Sequence, residues 1–243
     1  MRHRPPFPRV NRSASLMKGV VFAALGGGAG TLAALDSSGY GNHGTLTDMD
    51  PLTDWAFDPY LGQQKVLLDG SGNYIKIPMI RSIATYTVVA WVNWTCNVRY
   101  EWLLDCRTSG GVGYIIHDRV RLQVSSGTRY VDGVATAFVP VNTWACLCIT
   151  GISMTLTNSI FVGAKHNLAP TEFMTAGLSS LLLFSRILSP AEITALADPS
   201  NVMLRCGGRD SILAPSRRLW VVGTGAPPAG SSRRRRLLCG VCG

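Results

Sequence analysis

Residues 177–196, GLSSLLLFSRILSPAEITAL, set a continuous apolar run directly before a short helix with strong boundary signals. Residues 181–184 (LLLF) are apolar on both faces, the pattern of a strand buried on both sides rather than one lying on a half-exposed sheet. Ser189 is a good N-cap, Pro190 falls at the first helical position where its missing N–H costs nothing, and Glu192 completes a Ser-x-x-Glu capping box. Asp198-Pro199 stops the helix after one to two turns, because a residue preceding proline is pushed out of the helical region. A strand apolar on both faces needs packed layers on either side of its sheet, which confines the chain to layered architectures.

Short runs rich in Val, Ile, Tyr, Trp and Thr recur along the chain and predict strands over 73–77, 86–92, 100–105, 119–124, 129–139, 144–150 and 178–184, with Gly, Ser, Asn and Asp between them. This spacing predicts an all-β fold, a two-sheet antiparallel jelly-roll sandwich with one short C-terminal helix. Residues 119–124 (RVRLQV) alternate polar and apolar, as a half-exposed antiparallel strand does. The chain has 243 residues, 47% of them hydrophobic, enough for one sizeable core. Charge divides it further: residues 19–200 hold ten Lys/Arg against thirteen Asp/Glu, a net of −3, whereas residues 1–18 carry five basic groups and residues 201–243 carry eight, against the single acid Asp210. The organisation expected is a domain over 19–200, a basic Pro-containing extension over 1–18 and a basic, disordered tail over 201–243. A mildly acidic domain argues against a nucleic-acid-binding sandwich, leaving Arg233-Arg234-Arg235-Arg236 as the one place for non-specific phosphate contact.

Four stretches in order resemble the laminin-G-like jelly-roll domains of the concanavalin A-like lectin/glucanase superfamily. They are residues 35–46 (LDSSGYGNHGTL), 66–75 (VLLDGSGNYI), 86–92 (YTVVAWV) and the closing strand and helix from Phe184 onward. The resemblance spans about residues 19–200 and implies the fold; the Gly-apolar opening, the Asn-His-Gly-Thr-Leu turn and the Ala-Asp-Pro-Ser end also resemble bacteriophage and environmental bacterial proteins of this type. That implies a virion or extracellular setting, with other virion proteins or a cell-surface polysaccharide as partners. In the same pattern, residues 20–25 form an opening strand followed by a Gly-rich bend at Gly26-Gly27-Gly28, so the run after the N-terminal basic residues is read as part of the domain rather than as an export leader. No apolar run reaches the roughly 20 residues of a membrane span.

Seven cysteines, Cys96, Cys106, Cys146, Cys148, Cys206, Cys239 and Cys242, show no paired framework. Cys146 and Cys148 share a strand face and read as buried thiols, and Cys239-Gly-Val-Cys242 lacks a second ligand pair at zinc spacing. Asn93-Trp94-Thr95 and Asn11-Arg12-Ser13 match the glycosylation sequon, which has meaning in a secretory eukaryote.

Glycoside hydrolysis requires two carboxylates flanking one bond. The superfamily's hydrolases set them in alternation along one strand, and no such run exists here. Glu101 and Asp105, four apart, fall on one face of an ideal strand but about 13 Å from each other, so they are read as strand-end surface charges and the protein as a non-enzyme. His3, His43, His117 and His166 show no ligand spacing. The resemblance implies calcium, with Asp36 and Asn42 as candidate ligands, but the acidic pair expected at the start of the closing strand is Ser179-Ser180, and neutral hydroxyls bind calcium poorly. Asp36 and Asn42 equally suit a turn, with Gly39, Gly41 and Gly44 supplying positive φ. Trp94, Trp102 and Tyr100 flank the loop that begins at Thr95 and are the candidate sugar-stacking residues, whereas Trp91 and Trp144 read as core. The function expected is a carbohydrate-binding or surface-recognition module. A purely structural virion or assembly protein, and a degenerate hydrolase using Glu101 or Asp105, are the alternatives.

Overall fold

The computed structural model describes residues 15–24, 31–61, 63–78, 85–95, 100–107, 114–153, 159–166 and 172–198. The extensions beyond them, the Gly26-Gly27-Gly28 bend, Cys96, Pro199, Cys206, the C-terminal Cys-x-x-Cys and the four-arginine run lie outside the described residues.

In chain order the strands are β1 (Val20–Ala24), β2 (Ala33–Ala34), β3 (Gly44–Thr47), β4 (Trp55–Asp58), β5 (Gln63–Asp69), β6 (Tyr74–Ile77), β7 (Tyr86–Trp94), β8 (Glu101–Asp105), β9 (Tyr114–Asp118), β10 (Arg121–Val124), β11 (Thr128–Val131), β12 (Val134–Ala135), β13 (Ala145–Ile152), β14 (Ile160–Val162) and β15 (Thr175–Phe184), followed by helix α1 (Pro190–Ala197). They form two antiparallel sheets. One has eight strands in the order β12-β11-β13-β7-β15-β5-β4, with β1 also paired to β15; the other has seven, in the order β10-β9-β8-β14-β6-β3-β2. The all-β sandwich with a short helix is therefore the observed fold.

Three expected strands differ in extent. The 119–124 segment begins as a turn: Arg119, at φ 60°, leads β9 into β10, and only Arg121–Val124 is strand. The 129–139 segment is cut by Asp132-Gly133, at φ 52° and 81°, a pair of left-handed residues that turns β11 back onto β12. The closing strand is longer than its apolar run, because Thr175–Leu178 pairs with β5 while the remainder pairs with β1, and β7 runs along its other edge.

The principal core fills the space between the sheets, with Phe22, Tyr86, Trp94, Leu103, Leu104, Ile115 and Leu147 among its members. A fully buried Leu or Phe contributes about 1.5–3 kcal/mol relative to exposure. A second cluster lies on the outer face of the eight-stranded sheet, where α1 sets Ile193 and Leu196 against Val89, Trp91, Cys146, Cys148, Leu182 and Phe184. Trp91 is core here, and Trp144 packs half-buried against the cluster. Met17, in the short 3-10 turn before β1, is buried in the same layer, so the packed unit includes residues ahead of the opening strand. Burial pushes the Cys148 thiol up to about 12, and Cys146 is raised by burial, by Cys148 and by Asp132.

The capping box forms as the sequence requires: Ser189 Oγ accepts from the Glu192 N–H, and Glu192 Oε2 accepts from the Ser189 N–H at 2.9 Å. Arg186 holds the same carboxylate with both terminal nitrogens, at 2.7 and 3.0 Å, and its Nε donates to Lys18 O at 2.7 Å, tying chain start, closing strand and helix together. The Arg186 hydrogen bonds lower Glu192 to about 2 against the opposing effect of burial. A depressed carboxylate stabilises the fold fully above its unfolded range and loses that contribution as pH falls through its folded value. Glu192→Gln is expected to cost about 1–2 kcal/mol at neutral pH, the scale of a lost cap with a partly exposed ion pair, and to flatten the acid limb of stability between about pH 4.5 and 2, measured by urea unfolding at several pH values.

Candidate functional site

Helix α1 covers part of the outer face of the eight-stranded sheet. The outer face of the seven-stranded sheet carries a band of aromatic and cationic side chains instead. Register sets one row across it: Thr45 on β3 opposes Lys76 on β6, Lys76 opposes Phe161 on β14, Phe161 opposes Asp105 on β8, and Asp105 opposes Tyr114 on β9. In the neighbouring row Trp102 opposes Ile116. Because cross-strand partners share a face, these side chains project outward together. Tyr74, Phe161 and Phe173 form an aromatic group, with Tyr74 centred 5.8 Å from Phe161 and 6.5 Å from Phe173, apart from the inter-sheet core.

Cations lie over these rings. Lys76 Nζ is 5.7 Å from the Phe161 centroid, Lys165 Nζ is 5.6 Å from Trp102, and the Arg107 guanidinium carbon is 4.5 Å from Trp102 and 4.8 Å from Tyr114. Each such contact is worth about 0.5–2 kcal/mol, more as it is desolvated. Asp105 anchors the arrangement. It accepts from Arg107 Nε and a terminal nitrogen, both at 2.9 Å, and from the Arg107 and His166 backbone N–H groups at 3.1 Å, while its Oδ2 lies 3.0 Å from His166 Nδ1. Burial alone would raise this carboxyl, but the Arg107 and His166 contacts together hold it below the usual range. Cys106, next in sequence, is pushed up to about 12 by burial and by the Asp105 charge.

A β-bulge inside β8 explains why Glu101 and Asp105 do not share a face. Trp102 opposes Ile116 and Leu104 opposes Ile115, so Leu103 is the extra residue and the alternation inverts across it. Glu101 turns inward: Oε1 accepts from the Thr175 N–H of the opposite sheet at 2.8 Å, and Oε2 lies 3.3 Å from His117 Nδ1. Both carboxylates are 0% exposed, which corrects their reading as surface charges at strand ends. Lys165, His166 and Phe173 enter the site through folding alone; Tyr114 had its aromatic ring as a sequence signal, and Lys76 and Tyr74 the alternation of YIKI over β6.

The sugar-stacking candidates separate. Trp94 is 0% exposed and stacks on His117 between the sheets, with centroids 4.5 Å apart and planes 18° apart, so no ligand reaches its face. Trp102 is on the outer face but only 4% exposed, beneath Arg107 and Lys165. Tyr100 is 41% exposed, in a left-handed conformation at φ 62° just ahead of β8. Trp94 and Trp102 therefore do not form one sugar-stacking surface, because the two indoles lie on opposite sides of the seven-stranded sheet. The sequon at Asn93 falls within β7, where Asn93 Oδ1 is buried.

Asp36 forms a turn clamp. Oδ1 accepts from the N–H groups of Ala23 and Ser38 at 3.0 and 2.9 Å, and Oδ2 from Ser38 Oγ and the Asn42 N–H at 2.8 and 2.9 Å. The Asp36 N–H donates to His43 Nδ1, and the Asn42 amide donates to Val21 O at 3.3 Å. Both carboxylate oxygens face donor hydrogens, and Ser179 Oγ is directed at Gln64 O, a donor set that suits a pinned turn and does not fit a cation. Gly39 and Gly41 have positive φ as expected; Gly44 does not, and is needed because a Cβ there would meet Ile75 at 2.9 Å. Among the described residues, no three His, Cys, Asp or Glu side chains group as a metal site, and no helix is long and apolar enough to cross a membrane.

The described architecture is thus a jelly-roll-like antiparallel sandwich with an aromatic and cationic outer face. No protein-family profile matches the chain, and no curated protein sequence matches it. Solved structures do share the fold. They include a Trypanosoma rangeli sialidase mutant displaying trans-sialidase activity (TM-score 0.51, 13% identity, 76% of this chain and 33% of that one). Domain 4 of AbnA, a GH43 extracellular arabinanase from Geobacillus stearothermophilus, in complex with arabinotriose, is similar at TM-score 0.51 and 15% identity over 74% of this chain and 98% of that one. The binding domain of botulinum neurotoxin DC, in complex with SialylT, is similar at TM-score 0.51 and 13% identity over 76% of this chain and 52% of that one. The chain thus spans about a third of the sialidase, half of the toxin domain and nearly all of the arabinanase domain.

Proposed function

We propose that this chain is a non-catalytic carbohydrate-binding module that uses the outer face of its seven-stranded sheet. The observation that carries the reading is the row Lys76, Phe161 and Tyr114, which sets two half-buried rings beside an exposed ammonium on one face, since an aromatic ring flanked by hydrogen-bonding groups suits a pyranose ring. The arabinanase domain supports it, being matched over nearly its full length and solved with a sugar bound. A non-enzymatic role is supported by the carboxylates: Glu101 is sealed between the sheets and Asp105 is fully occupied by Arg107 and His166, so neither can protonate a leaving group or attack a sugar. The virion setting rests on the sequence resemblance alone.

A glycan array with the full chain, run in calcium and in chelator, tests the reading. Saturable binding that is lost on Phe161→Ala and retained in chelator is expected; silence across the array overturns it. Chelator is also expected to leave the melting temperature unchanged, because the Asp36 clamp is built from the protein's own donors. A purely structural role draws on a different observation, the edge strands β4 and β12, which expose Phe57 at 60% and Val134 at 65%. It predicts concentration-dependent oligomers, read by light scattering, and no sugar binding.

A further inference from the structure

The cations of the outer face differ in how they are engaged. Arg107 lies 2.9 Å from Asp105 and Lys165 lies 2.8 Å from Glu172, so each has its charge met by a carboxylate of the same face. Lys76 is exposed and, among the described residues, has the Phe161 ring as its contact and no carboxylate within ion-pair distance. Its flanking partners in the row are the exposed hydroxyl of Thr45 and the half-buried ring of Phe161, backed by Tyr74. The patch therefore presents an unmatched cation beside an aromatic platform. A neutral sugar, whose hydroxyls donate as well as accept, leaves that imbalance in place, whereas an anionic substituent supplies acceptors only. The setting is unusual for this domain, which carries thirteen acids against ten bases over residues 19–200.

We infer that the ligand is an anionic polysaccharide, with a sugar ring against Phe161 and its carboxylate or sulfate at Lys76. This rests on the carbohydrate-binding reading and narrows its ligand class. Neighbouring strands lie about 4.8 Å apart, so the Phe161 ring and the Lys76 ammonium are within the span of one sugar residue and its acidic substituent.

The test measures the full chain by calorimetric titration against polygalacturonate, its fully methyl-esterified form, and dextran sulfate beside neutral dextran. The ester has the same backbone with every carboxylate capped. Binding to polygalacturonate or to dextran sulfate is expected, with the neutral counterpart about tenfold weaker, the scale of one charge-assisted hydrogen bond. Lys76→Gln, an exposed change that leaves the fold intact by melting temperature, is expected to remove this preference. Arg121→Gln, an exposed cation on β10, the edge strand of the same sheet, and glutamine at the four arginines 233–236 are both expected to keep it. Equal affinity for charged and neutral forms, a preference that survives Lys76→Gln, a preference that vanishes with the tail arginines, or no binding to either anionic polymer overturns the inference. If any of these is seen while neutral glycans bind on the array, the carbohydrate-binding reading stands without it; if the array is silent too, both fall.

Discussion

Replacing Glu101 with alanine is expected to destabilise the protein by about 3–5 kcal/mol, since it orphans two hydrogen-bonding groups at about 1–3 kcal/mol each and leaves a void between the sheets. That is a large share of the roughly 5–15 kcal/mol that holds a domain folded. The carboxylate is 0% exposed and joins the two sheets: Oε1 accepts from the Thr175 N–H at the start of β15, and Oε2 meets His117 on β9. Its loss orphans a part-buried backbone donor and a buried ring nitrogen together. Among the described residues His117 has no other hydrogen-bonding partner: its Nε2 is buried with none, and one ring face is stacked on Trp94. His117→Leu alone is expected to be costly for the same reason, leaving Glu101 with only the Thr175 N–H. The double variant Glu101→Leu/His117→Leu is expected to be less unstable than the sum of the singles, since both buried polar groups leave together. Urea unfolding of the four proteins checks this. Additive losses would show that the 3.3 Å contact contributes no coupling and that each residue acts through its other neighbours.

Local chemistry made much of the fold legible. The capping box and the doubly buried 181–184 run are properties of adjacent residues, and they recur in the structure where the sequence places them. Where the reading missed, the cause was a signal overlooked or one that adjacent residues cannot carry. Asp132-Gly133 is a strong hairpin signal inside what read as a continuous β-rich run, and the turn chemistry prevailed over the β propensity of its neighbours. The bulge at Leu103 has no such mark. One additional residue sends Glu101 to the core and Asp105 to the outer face, so a period-two reading of EWLLD places both on the same side. The candidate site was less legible still, because Lys76, Phe161, Asp105 and Tyr114 come from four strands spread between residues 76 and 161 and meet only through register. Trp102 was found for its ring, but the Arg107 and Lys165 cover over it arises from residues on either side of two loops.

Asp105→Asn is the substitution expected to connect that site to stability. Asparagine keeps the shape but turns an acceptor-only group into one whose NH2 faces the donors of Arg107 and the His166 backbone. Arg107, whose side chain is 12% exposed, is left with its charge unmet in a part-buried setting. The expected cost is about 2–4 kcal/mol, below that of Glu101→Ala because Arg107 can swing toward water while the inter-sheet pair cannot. The pH dependence has a fixed sign. Asp105 is held below its unfolded value, so it stabilises the fold above the ordinary carboxylate range and the contribution fades as pH falls; the variant is therefore expected to lose stability at neutral pH and to differ least from the parent in acid. Release of Arg107 also uncovers the Trp102 and Tyr114 rings that it spans. If Arg107 orders these rings for a sugar, Asp105→Asn weakens glycan binding in proportion to the loss of order at Trp102, read by its fluorescence. Unchanged binding with Trp102 plainly more mobile would mean that the ring is a packing element and that the ligand rests on Phe161 alone.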